Sequence, residues 1–199
     1  MAGAFPISTA QFTSLGIKSI QNTIISKSVS GKKLARQIDG QRWGFTARII
    51  TAKRSDVYGQ LMAFIIKQRS GKENFTIVPP EVEDARGTAS GTPTGTASAG
   101  DTSITLGGTG TGTLKAGDFI KFANHSKVYM VVADQSDIST GTLTIEPPLT
   151  TAVSSSDIQY DDVPFTVYLT NDIQEFGVVG AGQDGTLLYQ FEFDVEEAL

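Results

Sequence analysis

The chain has 199 residues, 21.1 kDa, a formal net charge of −5, no cysteine and a single histidine. Without cysteine there is no disulfide, thiolate nucleophile or cysteine zinc site. One histidine, His125, rules out a multi-histidine metal centre and leaves any Ser-His-Asp triad resting on that residue alone.

The start of the chain, Met1-Ala2-Gly3-Ala4-Phe5-Pro6, has neither the basic segment nor the apolar run of a signal peptide, and no stretch approaches the roughly 20 apolar residues of a membrane span. The expectation is a soluble protein made in a cytoplasm and making no membrane contact. Ala2 in place of glycine excludes N-myristoylation.

Residues 17–51 read as strands. Ile17, Ile20 and Thr23 to Ile25 precede a turn at Ser30-Gly31, and Leu34 to Ile38 and Arg42 to Ile50 follow. In the last run Trp43, Phe45, Ala47 and Ile49 alternate with Arg42, Thr46 and Arg48, so period 2 puts the large apolar groups on one face and the arginines on the other. The period then changes. Val57, Leu61, Phe64 and Ile65 fall at helical spacing, predicting a helix over 55–70 with Ser55 as its cap and Gly71 in the left-handed closing position. A short strand, Asn74 to Val78, ends at Pro79-Pro80, because proline gives a ladder no donor.

Composition changes abruptly at Arg86. Residues 86–101 are mostly Gly, Thr, Ala and Ser and read as a flexible linker. Residues 102–159 read as an inserted all-β unit, a small barrel of about four or five strands, from Ser103 to Leu106, Phe119 to Phe122, Lys127 to Val132 and Leu143 to Ile145. Longer strands return at Val163 to Thr170, Ile173 to Val179 and Leu187 to Val195, and they need a partner sheet that the first 80 residues supply. The fold class is therefore mainly β with one α-helix. A discontinuous β-sandwich-like domain, 1–85 and 160–199, is interrupted by the inserted barrel.

Charge is strongly polarised. Residues 1–72 carry twelve Lys and Arg against Asp39 and Asp56, while Val128 to Leu199 holds thirteen Asp and Glu and no base. Such asymmetry fits a nucleic-acid surface with an acidic tail, or two ends that pair within one subunit or head-to-tail between neighbours. Dispersal of the bases along periodic apolar segments favours pairing.

Catalytic equipment is sparse. His125 sits in Ala123-Asn124-His125-Ser126 between two β runs, where Asn tolerates the positive φ of a tight turn, and Asp118 and Asp134 lie at the far ends of the same hairpin. Asp161-Asp162, Glu81 with Glu83 and Asp84, and Glu196-Glu197 are paired carboxylates of the kind a glycosidase needs, yet such clusters are usually solvated turns. Gly107 to Gly112 lacks the Gly-Lys-Ser/Thr and the βα unit of a phosphate loop. Trp43, Phe45 and Phe75 could stack on bases, but their alternation with polar residues indicates core. No catalytic, cofactor-binding or metal-binding residue is assigned, and the expected class is a non-enzymatic assembly protein.

One ordered set of features resembles the distal tail and minor tail proteins of tailed bacteriophages and gene transfer agents: Ser30-Gly31-Lys32-Lys33, Arg36-Gln37-Ile38-Asp39-Gly40-Gln41-Arg42-Trp43-Gly44-Phe45, the helix, and then Gly71-Lys72-Glu73-Asn74-Phe75-Thr76-Ile77-Val78-Pro79-Pro80. The hairpin around His125 and Leu143 to Leu149 are also similar to phage tail proteins of this group. The resemblance implies a structural virion protein of the tail tip, assembled in the host cytoplasm. It would form a hexameric ring that joins the tail tube to the baseplate hub and lines part of the DNA channel. The implied partners are a second copy of the chain, a tail tube protein, a baseplate hub protein and, for the insertion, receptor-binding or fibre proteins, with DNA only in transit. Arg42 and Arg48, opposite Trp43 and Phe45, and Arg36 on the preceding strand are the expected subunit-interface residues. The alternatives are a nucleic-acid-binding module, whose affinity would fall steeply with salt, and a carbohydrate-binding β module.

Overall fold

The structure, a computed structural model, describes residues 3–6, 11–38, 40–80 and 82–199. Asp39 in the resemblance and Glu81 in the acidic cluster lie outside the described residues. The fold is mainly β with one α-helix, as the periodicity requires.

Strands β1 (Phe12–Ile20) and β4 (Arg42–Lys53) flank a hairpin, β2 (Thr23–Lys27) and β3 (Lys33–Gln37), that pairs only with itself. Its turn falls at Ser30-Gly31 as expected, with Gly31 at φ 79° donating to the Ser28 carbonyl. After β4 the chain makes a π-helical turn (Arg54–Tyr58) and then helix α1 (Gly59–Lys67). Gly59 donates to the Arg54 carbonyl, and a Cβ there would lie 2.8 Å from that oxygen, so only glycine makes the junction without a shift. The helix differs from expectation at both ends. Ser55 bonds Asp56 and caps nothing, and the left-handed residues at its close are Arg69 and Ser70 instead of Gly71.

The main sheet is antiparallel, in the order β1-β4-β14-β12-β5, where β5 is Phe75–Ile77, β12 is Phe165–Leu169 and β14 is Leu187–Glu197. Strand β13 (Gly177–Ala181) pairs with the first half of β14, while β12 pairs with its end. The outer edge of β5 is covered by Gly3–Phe5, and the Phe5 ring packs with Phe12, Phe64, Phe75 and Phe193. Period 2 holds along β4. Trp43, Phe45, Ala47 and Ile49 are buried beneath the helix residues Tyr58, Leu61 and Ile65, together with Phe191, Phe193 and Val195 of β14. Two expected strand features stop short: Ile173 to Phe176 precede β13 as loop, and Leu187 at the start of β14 is exposed.

A closed six-stranded barrel forms from β6 (Pro93–Ala97), β7 (Ser103–Gly108), β8 (Phe119–Phe122), β9 (Val128–Val131), β10 (Thr142–Glu146) and β11 (Val153–Gln159), in the order β10-β7-β6-β11-β8-β9. It has more strands than the composition suggested, because the Gly/Thr tract read as a linker contributes β6. Gly95 is the reason the tract fits there. A Cβ at that position would come within 2.7 Å of the Phe122 ring and 2.8 Å of Ile104, so the missing side chain makes room for two core residues.

The barrel is packed onto the sheet. Phe119, Val128 and Met130 point out of the barrel and join the main core, with Phe119 edge-on to Trp43 at 5.0 Å and to Phe165 at 5.6 Å. The other side of the same two strands, Ile120, Phe122, Tyr129 and Val131, fills the barrel. One hairpin thus serves both cores.

Candidate assembly surface

The solvent side of the main sheet carries the charges that alternation along β4 predicted. Antiparallel register sets Arg48 opposite Glu192, Thr46 opposite Asp194 and Gly44 opposite Glu196. Arg48 reaches Glu192 through two nitrogens, at 2.6 and 3.0 Å, and Arg42 reaches Glu196 at 3.1 Å. Lys18 of β1 reaches Asp194 at 3.4 Å, and Lys53 pairs with Asp184. The Thr46 hydroxyl, followed by Lys18 and Asn171, holds the Asp194 carboxyl below the ordinary range. Lys53 and the Thr186 groups do the same for Asp184. The basic first part and acidic last part of the chain therefore pair within one subunit, strand against strand. Each solvent-exposed pair contributes at most about 1 kcal/mol, but together they cancel the sheet face: Lys18, Arg42 and Arg48 against Glu192, Asp194 and Glu196.

Of the three residues expected at an interface, Arg42 and Arg48 share this face and are each bound to a carboxylate of their own β14. Arg36 stands apart on β3, directly across from Ile24. Sequence patterning placed that hairpin and its turn but not its exposure. Every residue of β2 and β3 is exposed. Ile24, Ile25, Leu34 and Ile38 are each more than half exposed, and Lys27, Lys32, Lys33 and Arg36 surround them. A two-stranded ribbon is marginal in water by itself, and contiguous exposed apolar side chains rimmed by charge are the mark of a binding surface. The signal was legible in Ile24-Ile25, whose adjacent side chains point to opposite faces and so cannot both turn to a single core.

A third polar cluster lies where the barrel meets the sheet. Lys127, 2 % exposed, sends its ammonium to Glu197 at 2.5 Å and to the Gln41 amide oxygen at 3.0 Å, with the Trp43 and Tyr129 rings 5.8 and 5.9 Å away. Glu197 also accepts the backbone N–H groups of Trp43 (3.1 Å) and Val128 (2.8 Å), while the Trp43 indole donates to the Val128 carbonyl at 2.9 Å. Burial pulls the Lys127 ammonium below the usual lysine range, and Glu197 opposes it. Nothing in the sequence marks Lys127 as buried, because its partners are at least 70 positions away.

His125 lies in the turn after β8, as expected, although Asn124 has no positive φ. The Asn124 amide donates to the Ala152 carbonyl, and its oxygen is 2.7 Å from His125 Nδ1. His125 Nε2 is 2.8 Å from the Tyr129 hydroxyl, which also accepts the Thr150 N–H. Burial, then Lys121 and Lys127, lowers the imidazole below its ordinary value. Both ring nitrogens have partners, so the residue ties a turn to its neighbours. Of the carboxylates weighed as a glycosidase pair, Glu196 and Glu197 bind Arg42 and Lys127, while Glu83, Asp84, Asp161 and Asp162 collect where the chain crosses between barrel and sheet. There Asp84 accepts the Asp162 N–H, and burial with Asp84 and Asp162 raises Glu83. Among the described residues no group of three His, Cys, Asp or Glu is placed to hold a metal, and no helix is long and apolar enough to cross a membrane.

Residues 82–161 match the family model described as distal tail protein pb9, B domain. The matched segment contains all six barrel strands. It bears out the resemblance to phage distal tail proteins, which rested mainly on residues outside it. A domain of that family points to a structural, non-enzymatic part in a phage tail and to a component of the virion. No curated protein matches the chain.

Proposed function

We propose that the chain is a tail-tip protein that closes into a ring, hexameric as the resemblance implies, joining the tail tube to the baseplate hub. The β2–β3 hairpin is the observation that carries this reading. It presents apolar and basic side chains on both faces, is exposed at every position and, among the described residues, joins no other sheet. A patch that meets a different patch on the next copy generates a closed ring when the rotation closes. Coverage by a neighbour also removes the hazard of an exposed ribbon edge.

The sheet face matches its bases with carboxylates, and such a surface neither holds nor strongly repels a polyanion. The same cancellation counts against the nucleic-acid-binding alternative, because Lys18, Arg42, Arg48 and Lys53 are all engaged with acids. The barrel, held to the sheet by its own core contacts, would present its far side to hub, fibre or receptor-binding proteins.

Mass in solution by light scattering tests the ring. The expected species is near six times 21.1 kDa, about 127 kDa, and replacing Ile24, Ile25 and Leu34 by serine should return it to the monomer. A wild-type chain that stays monomeric at every concentration, alone and with tail tube protein, would overturn the reading.

A further inference from the structure

Over the middle of the sheet face a groove of about 410 Å³ runs between β14 on one side and β13 with the segment leading into it on the other. Its lining combines Ile173 and Val179, 86 % and 54 % exposed, with Glu175, Glu192 and Asp194. Arg48 is the one base on it and is already bound to Glu192. The hairpin has the complementary character: residues 23–37 hold Lys27, Lys32, Lys33 and Arg36, no acid, and the apolar Ile24, Ile25 and Leu34.

The two surfaces are separate patches: the hairpin joins the sheet at Arg42, the start of β4, while the groove lies over the middle of that strand, where Asp194 pairs with Thr46 and Glu192 with Arg48, roughly 13–20 Å along. Two different patches on one chain, one basic and one mainly acidic, are what a head-to-tail contact needs. We propose that the groove receives the hairpin of a second copy of this chain, with the ribbon face that carries Ile24, Leu34 and Arg36 turned in, Arg36 facing Glu175, the apolar side chains seated on Ile173 and Val179, and the neighbouring lysines adding to the positive field. This rests on the ring reading and adds its acceptor.

Charge exchange tests it. Self-association, followed by light scattering, should weaken about tenfold or more in Lys33→Glu/Arg36→Glu and likewise in Glu175→Lys/Gln190→Lys, and the chain carrying both reversals should recover most of the loss. Groove-reversed protein that assembles like wild type, or a double reversal that recovers nothing, would overturn the groove while leaving the ring intact. A wild type that never associates removes both. Should the fourfold variant fail to fold by circular dichroism, an Arg36→Cys chain mixed with a Glu175→Cys chain decides the matter, because the protein has no other cysteine. Under mild oxidation a disulfide-linked heterodimer supports the contact, and its absence overturns it.

Discussion

Lys127 and Glu197, 70 positions apart, meet at 2.5 Å with 2 % and 0 % of their side chains exposed. The pair joins the barrel to the end of β14 in the main sheet, and Gln41 ties it to the root of the hairpin. An ion pair out of water recovers its desolvation cost only if both partners stay and their remaining polar groups are bonded, as here.

Removing one partner should therefore be far worse than removing both. Lys127→Met alone, which strands a buried carboxylate, is expected to cost about 3–5 kcal/mol, whereas Lys127→Met/Glu197→Met should fall much closer to wild type. Urea denaturation of the two single variants and the double variant measures the coupling. Equal, additive losses would show the pair to be energetically independent.

His125 sets a pH dependence. Its folded value lies below the unfolded 6.5 because of burial and the nearby Lys121 and Lys127, so on acidification the unfolded chain takes up the proton first. Stability from this residue should be present above pH 6.5 and fall as pH drops from there toward the folded value. Thermal unfolding between pH 7.5 and 5.5 should show a smaller loss in His125→Gln than in wild type. An NMR titration placing the imidazole at or above 6.5 would contradict the assignment.

Gly95 is a packing position. Gly95→Val drives methyls into Phe122 and Ile104, and an overpacked site of this kind costs about 1–3 kcal/mol. Amide exchange offers a second measure, since residues 94–97 should be protected in the native protein. A flexible linker would show no protection and would tolerate valine.

Arg48 gives a prediction opposite to that of an arginine seeking a neighbour's acid. Arg48→Gln frees Glu192 and makes the groove more acidic. Self-association should then tighten a few-fold, while the chain loses no more than about 1 kcal/mol of stability. Arg42→Gln, at the start of the strand, should leave association unchanged. Sedimentation velocity of the two variants separates these outcomes.

Much of the main sheet was readable in advance, and β11 shows where reading stops. Val153 and Ile158 are both buried although an odd number of positions separates them. The alternation breaks because the pairing with β6 slips between Val153 and Ser156, where Ser155 takes φ 45°. Serines around a bulge carry no period for a sequence to show. For β6, small residues fit because Phe122 and Ile104 take up the space, and those two residues belong to other strands.

Period along a strand is a local property, so the sequence by itself determined which side of β4 would be apolar, where the hairpin turns and where the helix lies, and composition alone excluded thiol chemistry and a multi-histidine metal centre. Register between strands is not local. Only the tertiary structure decided that Arg48 meets Glu192 across 144 positions, that Lys127 is buried, that the Gly/Thr tract closes a barrel, and that the β2–β3 hairpin is left without cover. Each depends on side chains brought together by chain crossings, and the contact energies that choose among such pairings are invisible to any pattern confined to one segment.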